Sequence, residues 1–180
     1  RQIKVNQGLL QEPWELTEIR TEDLSELKSF YQHVSGGLMI DAFDLHPGTV
    51  PRDGLAQEYR RLGFKKEKRL YSLLEGGVLK ALILANITDI GLNMTNLTNC
   101  ATVIVIDESI PRYFIESALS QVAGEYEHHE MPVLVYPVSY AESNFIPFEK
   151  IYTLWILNLE YLDPYFKFCD SFFSSINKSS

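Results

Sequence analysis

Residues 66–88, KEKRLYSLLEGGVLKALILANIT, contain two strand-like runs on either side of a glycine pair. The run Lys66–Leu74 alternates in polarity, and the run Val78–Thr88 is rich in aliphatic residues. Gly76-Gly77 lies between them and is typical of a tight turn, because glycine adopts the positive φ angles that hairpin turns need. The stretch therefore predicts an antiparallel β-hairpin.

A second strong pattern follows the hairpin. Ala101–Asp107 is a nearly continuous apolar run, which is typical of a strand buried on both faces. Pro111 begins a predicted helix, Pro132 ends it, and Val133–Val138 is the next predicted buried strand. This order predicts a βαβ-like unit between Val103 and Val138.

The flanking regions add further elements. Upstream, the pattern predicts a strand over Glu12–Arg20, a helix capped by Thr21 and ended by Gly36-Gly37, and a helix over Asp53–Leu62. Residues 38–45 are ambiguous and fit a short helix. Downstream, we expect a short helix over Ala141–Phe148, a strand over Ile151–Glu160, and a terminal helix that opens at Asp163-Pro164.

These elements predict an α/β fold with a mixed, mainly antiparallel central sheet flanked by helices. The chain has 180 residues, of which 46% are hydrophobic, and this suits one globular domain. We expect residues 1–12 to be a linker or tail, residues 13–175 to form a single domain, and residues 176–180 to fray. Because the sequence starts with Arg1, a fragment or processed chain with a further domain upstream is also expected.

Charge and composition narrow the classes of function. With 24 acidic and 16 basic residues, the net charge of −8 disfavours nucleic acid as a partner. Cys100 and Cys169 lack any C-x-x-C spacing, and the histidines lack metal spacing, so no metal site is predicted. No apolar run of about 18 residues is present, so we expect no membrane partner.

Four N-x-S/T triplets leave the compartment open to two interpretations. Three of them lie within residues 86–98, and the fourth begins at Asn177. In a secreted protein they would be glycosylation acceptors. We prefer a cytoplasmic protein, in which the Asn and Thr residues serve a loop.

Two polar stretches are candidates for ligand binding. The loop Asp89–Asn99 could orient a small polar ligand, or its side chains could satisfy their own backbone. A cluster of cations could contact phosphate groups, or could form a solvated face. Its members are Arg60, Arg61, Lys65, Lys66, Lys68 and Arg69.

The element order resembles the GNAT-type N-acyltransferase fold. Three segments, Tyr59–Phe64, Gly91–Asn99 and Tyr152–Ile156, resemble more specifically the acyltransferase-like domain attached to PilZ modules in some bacterial signalling proteins. This resemblance implies a cytoplasmic domain that uses acyl-CoA, without a covalent cofactor or a metal. The start at Arg1 makes an upstream domain one candidate partner. The aromatic C-terminal third, with Tyr152, Trp155, Phe166, Phe168 and Phe172, is first a predicted core, and an exposed part of it could form a homodimer or interdomain interface.

The resemblance also implies a site. The family's pyrophosphate loop would fall on residues 107–112, which contain no glycine, carry Asp107 and Glu108, and include Pro111 without an N–H. The implied cofactor-binding residues are Val105, Ile106, Asp107, Ser109 and Arg112. The resemblance implies Tyr140 or Tyr152 as the catalytic acid, and Glu75 is a candidate acid or base near the expected cleft. Asn93, Thr95 and Asn96 of the polar loop Asp89–Asn99 are the candidate substrate-binding residues.

Two functions remain open from the sequence. The first is an acyl-CoA-dependent N-acyltransferase, in which an amine attacks the thioester carbonyl and a positioned group moves the proton. The alternative is a non-catalytic regulatory or protein-interaction module of a larger bacterial signalling protein. The intact element order permits the first function, and the missing glycines favour the second.

Overall fold

The computed structural model describes residues 10–35, 43, 45, 54–89, 99–126, 131–148 and 151. Five strands and four α-helices occur in this part of the chain. In chain order they are β1 (Trp14–Glu18), α1 (Thr21–Ser35), α2 (Gly54–Arg61), β2 (Lys66–Glu75), β3 (Val78–Thr88), β4 (Ala101–Val105), α3 (Arg112–Val122), β5 (Val133–Tyr136) and α4 (Val138–Ser143).

The five strands form one sheet in the order β1-β2-β3-β4-β5. Strands β1 to β4 pair antiparallel, and β5 pairs parallel to β4. This arrangement confirms the predicted α/β class with a mainly antiparallel sheet and the βαβ-like unit. The hairpin is confirmed as well, because Glu75 pairs with Val78 across Gly76 and Gly77, whose φ angles are +56° and +82°.

The sheet has a hydrophobic cluster on each face. On one face α3 contributes Ile115 and Ala118 against Ile83 and Val103 of the sheet. On the other face α1 contributes Leu27 against Leu82, Leu84 and Ile104. Because β3 and β4 lie between the two helices, both faces of these strands are covered, and this explains their nearly continuous apolar sequences.

Three strands are shorter than predicted. Strand β1 covers Trp14–Glu18 instead of Glu12–Arg20. Strand β4 ends at Val105 instead of Asp107, because the N–H groups of Ile106 and Asp107 both donate to the carbonyl oxygen of Lys80, and the regular ladder stops there. Strand β5 ends at Tyr136, since the following Pro137 has no N–H to donate. All four β5 residues are half-buried, so the prediction of a buried strand was wrong for this element.

The helix ends also differ from the predictions. Thr21 is the first residue of α1, and the Asp23 carboxylate caps the helix by accepting the Arg20 N–H at 3.0 Å. Helix α3 ends at Val122 and gives way to a single 3₁₀ turn over Ala123–Glu125, so the α-helix stops before Pro132, where the sequence predicted its end. Helix α4 starts at Val138, three residues before the predicted start.

Several predicted features lie outside the described residues. These are the short helix within residues 38–45 apart from positions 43 and 45, the loop at 90–98, His128 and His129, the strand at 152–160 and the terminal helix after Asp163.

Candidate functional site

The candidate site begins where the chain leaves β4. We call residues Asp107–Pro111 the acidic loop. One oxygen of the Asp107 carboxylate, Oδ1, accepts the Ser109 N–H at 3.0 Å and the Ser109 hydroxyl at 2.6 Å. The other, Oδ2, accepts the Lys80 ammonium at 2.7 Å. The loop therefore folds around a carboxylate of its own.

Lys80 joins the acidic loop to the β2–β3 hairpin. Its Nζ lies 3.4 Å from Glu75 Oε2 as well as 2.7 Å from Asp107 Oδ2. The hydrogen bond from Lys80, followed by those from Ser109, lowers the pKa of Asp107 to about 2. The same contact with Asp107 raises the pKa of Lys80. Asp107 is thus ionised, and one cation is shared between two carboxylates.

The remaining residues of the acidic loop form hydrogen bonds within the protein, apart from Pro111, which has no N–H. The Ile110 N–H donates to the Asp107 carbonyl oxygen at 3.2 Å, and Pro111 has no N–H. The Ser139 hydroxyl donates to Glu108 Oε2 at 2.8 Å. From Ser109 to Pro111, the loop consequently presents no N–H group to an incoming anion.

Tyr140 closes the site from α4. Its side chain is fully buried, and its hydroxyl donates to the Ile110 carbonyl oxygen at 2.9 Å. Burial raises the pKa of Tyr140 to about 12. The hydroxyl is therefore protonated at neutral pH, and it serves the backbone of the acidic loop.

Arg112 lies in the first turn of α3 and is paired within the domain. Its Nε donates to Glu116 Oε1 at 2.5 Å, and its Nη1 donates to the Phe145 carbonyl oxygen at 3.4 Å. The guanidinium therefore links the start of α3 to the chain that follows α4.

Strands β4 and β5 are hydrogen-bonded neighbours over four residue pairs. The two strands remain in register from Ala101 opposite Val133 to Ile104 opposite Tyr136, which is the full length of β5. A cofactor arm that lies between two strands needs them to separate. Over the length of β5 these strands do not separate.

The structure brings together part of the site that the resemblance implied. Lys80 joins Glu75 to Asp107, and Ser109 bonds to the same Asp107 carboxylate. Tyr140 meets the loop at Ile110. Val105 is buried in the sheet and Ile106 is half-buried, so they act as support for the loop. Tyr152, Asn93, Thr95 and Asn96 lie outside the described residues.

Sequence reasoning missed Lys80 and Ser139. Lys80 does carry a signal, because it is the one charged residue in the otherwise apolar run Val78–Thr88. A lone cation in such a strand needs a partner when it becomes half-buried. Ser139 carries no comparable signal in the sequence.

Other kinds of site are not found in the part of the chain that the structure describes. Among those residues, no group of three or more His, Cys, Asp or Glu side chains is placed to hold a metal ion. No helix among them has both the length and the apolar character needed to cross a membrane.

Comparison with known proteins gives one match. No protein-family profile matches the chain, and no curated protein matches it. Among solved structures, the chain is similar to one described as "a possible acetyltransferase" from Clostridium difficile 630. The identity is 10% and the TM-score is 0.35, over 81% of this chain and 97% of that one. A likeness this distant assigns no activity.

Proposed function

We propose that this domain is a non-catalytic regulatory or protein-interaction module that has an acyltransferase-like fold without a working cofactor loop. The observation that carries the proposal is the hydrogen bonding of the acidic loop. A pyrophosphate is bound by backbone N–H groups that point at its oxygens, usually at the start of a helix. Here the N–H of Ser109 is given to a carboxylate, that of Ile110 to a carbonyl, and Pro111 has none.

The electrostatics of the acidic loop support the same conclusion. In the loop that the resemblance assigns to the phosphates of acyl-CoA, this chain carries the carboxylates of Asp107 and Glu108, and Lys80 is already shared with Glu75. Like charges at close range repel each other, so an ionised carboxylate here disfavours a neighbouring phosphate.

Two further observations support the loss of catalysis. Tyr140, the acid implied by the resemblance, is fully buried and bonded to the Ile110 carbonyl oxygen, so it does not face a substrate. The β4–β5 pair stays in register from Ala101 opposite Val133 to Ile104 opposite Tyr136, so a pantetheine arm has no room between the strands over these four pairs.

A surface suited to a protein partner lies beside the acidic loop. Large apolar side chains are exposed here in the described part of the chain, and Phe145 is 88% exposed. Exposed apolar groups of this size are typical of interaction surfaces. Tyr113 at the start of α3 and Val138 at the start of α4 are exposed as well.

Isothermal titration of acetyl-CoA and free coenzyme A into the purified chain tests the proposal. We expect no binding heat and no thermal shift, even at millimolar ligand. Binding tighter than about 100 µM, or about −5.5 kcal/mol, would overturn the proposal and favour the alternative function, an acyl-CoA-dependent acyltransferase.

A variant locates any binding that does occur. Asp107→Asn combined with Glu108→Gln removes both negative charges of the acidic loop. Tighter binding by this variant than by the wild type would place the cofactor phosphates at the acidic loop. Unchanged binding would place them elsewhere on the domain.

A further inference from the structure

Strand β1 forms one edge of the sheet. It pairs with β2 on one side, and no strand in the described part of the chain pairs with its other side. The Ile19 N–H donates to the Leu70 carbonyl oxygen of β2 at 3.1 Å, and the Pro13 carbonyl oxygen accepts the Gly76 N–H at 2.8 Å. Because backbone directions alternate along a strand, the odd-numbered residues of β1 direct their N–H and C=O groups toward β2, and the even-numbered residues direct theirs away from it.

The outward backbone groups of β1 are open to a further strand. They are the N–H groups of Leu16 and Glu18 and the carbonyl groups of Trp14, Leu16 and Glu18, and none of them is bonded to another residue that the structure describes. The Trp14 N–H is already used, since it donates to the Gln11 carbonyl oxygen at 2.9 Å. An antiparallel strand beside β1 would bond to both backbone groups of Leu16 and of Glu18, and to the carbonyl group of Trp14.

The exposed side chains of β1 are both acidic. They belong to Glu15 and Glu18, and neither carboxylate forms a hydrogen bond or an ion pair with a described residue. Leu16 lies between them and is half-buried against the hydrophobic cluster under α3. The edge therefore offers two carboxylates and part of an apolar side chain along a row of free backbone groups.

The cations near this edge are already paired. Residues 10–23 carry five carboxylates and one cation, Arg20, which is bonded to the Asp23 carboxylate at 2.7 Å. The part of β2 that pairs with β1, Tyr71–Glu75, contains no cation, and Arg69 beyond it is bonded to two other carboxylates. Counted over the described residues, the edge thus has an uncompensated negative charge, which attracts a cationic partner.

We propose that β1 is a docking edge for an extended, basic segment of a partner protein, which adds to the sheet as a further antiparallel strand. Main-chain hydrogen bonds give such a strand its affinity, and the side chains along the edge select its sequence. Cationic residues of the partner lie opposite Glu15 and Glu18, and an apolar residue lies opposite Leu16, because cross-strand neighbours of these kinds stabilise a sheet.

A second copy of this chain fits the edge less well. Two β1 strands paired with each other would bring Glu15 and Glu18 of both copies into one short ladder, where like charges are destabilising. Each copy also has a net charge of −8. Charged residues on an edge strand keep identical chains apart, and they do not exclude a strand of opposite charge.

This inference goes beyond the proposed function, because β1 shares no residue with the acidic loop and its partner is recognised without a cofactor. Its test uses no coenzyme A. The result of the titration with acetyl-CoA and the result at β1 can therefore fail separately.

Fluorescence anisotropy of a labelled, capped peptide with the sequence Lys-Thr-Val-Lys-Val tests the proposal on the intact chain. We expect saturable binding that weakens about tenfold in Glu15→Gln/Glu18→Gln, because two cross-strand charge pairs are lost. A control peptide with proline in place of the first valine keeps its charge but lacks the N–H that the Leu16 carbonyl group would accept. We expect it to bind about tenfold more weakly.

Two variants of Glu18 separate the backbone contact from the charge. Glu18→Gln and Glu18→Pro both remove the carboxylate, but only the proline removes the outward N–H, so Glu18→Pro should bind about fivefold more weakly than Glu18→Gln. The matched control for the charge is Glu26→Gln/Glu142→Gln, in which two exposed carboxylates of α1 and α4 are removed. We expect it to bind as the wild type does. Circular dichroism and thermal unfolding show whether each variant retains its fold.

Hydrogen exchange provides a readout at the edge itself. In the free chain, the amides of Leu16 and Glu18 should exchange much faster than the amide of Ile19, which is bonded to β2. Saturating peptide should slow exchange at Leu16 and Glu18 by about tenfold or more, because both amides then donate to the added strand.

Four results would overturn the proposal. The first is that no binding occurs at millimolar peptide. The second is that the proline peptide and Glu15→Gln/Glu18→Gln both bind as the wild-type pair does, since the contact would then lie elsewhere. The third is that the Leu16 and Glu18 amides are already protected in the free monomer, which would mean that the chain covers its own edge. The fourth is that their protection rises with protein concentration alone, which would assign the edge to a second copy.

Discussion

Lys80 compensates the negative charge of two carboxylates in the candidate site, although sequence reasoning did not identify it. It lies within a strand of apolar residues, and it reaches Asp107 across 27 positions of sequence and Glu75 across the hairpin turn. Its carbonyl oxygen also accepts the N–H groups of Ile106 and Asp107, at 2.9 and 3.1 Å. Backbone and side chain of one residue thus hold the start of the acidic loop against the sheet.

This contact predicts a pH-dependent stability. The pKa of Asp107 is lowered from 3.8 to about 2 in the folded chain, first by Lys80 and then by Ser109. Because the folded pKa is below the unfolded one, the stabilisation is fully present above about pH 4. It is lost as the pH falls from about 4 to about 2. Asp107→Asn should therefore be less stable than the wild type at neutral pH, and the difference should shrink at acid pH.

Urea denaturation at several pH values measures this difference. The control is the same substitution in a Lys80→Met background, where Asp107 has lost its largest hydrogen-bond donor and the effect of pH should be smaller. If the difference in free energy of unfolding between the wild type and Asp107→Asn is the same at pH 7 and near pH 2, the Asp107–Lys80 contact does not stabilise the fold as described.

The same residues show what sequence reasoning could find in the site. Asp107 and Ser109 were identified by their position after a predicted strand, and the structure places them in one hydrogen-bonded turn. Their partner Lys80 was missed, because pairing across the sheet depends on the antiparallel register of β3 and β4. Local sequence patterns do not contain that register, although it follows once the strands are paired.

Among the helices and strands, local sequence patterns predicted the bounds of an element correctly where turn or loop residues mark both of its ends. Strand β3 was predicted at its observed bounds, Val78–Thr88, because Gly76-Gly77 precedes it and a polar loop follows it. Strand β5 was predicted as buried from its apolar residues, yet all four are half-buried. The burial of a strand depends on what lies beside it in the sheet, and its own residues do not encode that neighbour.

The end of α2 offers a second prediction. The helix ends in a Schellman motif, in which the Phe64 N–H donates to the Tyr59 carbonyl oxygen at 2.9 Å and the Gly63 N–H to that of Arg60 at 3.0 Å. Gly63 has a φ of +82°, so a Cβ there is strained even though no atom lies within 4 Å of its position. Gly63→Ala should lower the free energy of unfolding by about 1 kcal/mol. Chemical denaturation of the purified variant provides the measurement.

Gly124 gives the matched control for this substitution. It lies in the 3₁₀ turn after α3, its φ is not in the left-handed region, and a Cβ there would also meet no atom within 4 Å. Gly124→Ala should be neutral or slightly stabilising, because alanine has less freedom in the unfolded chain. Equal losses of stability in the two variants would contradict the role given to the φ angle of Gly63.

For the whole molecule, the sheet acts as a partition between two hydrophobic clusters. Leu27 of α1 belongs to the cluster on one face, and Ile115 of α3 belongs to the cluster on the other. Helices on opposite faces of a sheet lie about 20 Å apart, since each packs about 10 Å from it. The acidic loop and the turn between α2 and β2 lie at opposite ends of the β2–β3 hairpin, and the paired strands of the core separate them.

This arrangement predicts that the two clusters are energetically independent. Leu27→Ala should cost about 2 to 5 kcal/mol and Ile115→Val about 1 kcal/mol, because both side chains are fully buried. In the double variant the two losses should add to within about 0.5 kcal/mol, since the residues share no neighbours.

A double-mutant cycle from urea denaturation measures the coupling energy between Leu27 and Ile115. The control pair is Ile115→Val with Ile83→Val, because both residues belong to one cluster and coupling between them is expected. A coupling above about 1 kcal/mol between Leu27 and Ile115 would mean that strain passes through the sheet, and the two faces would then have to be treated as one core.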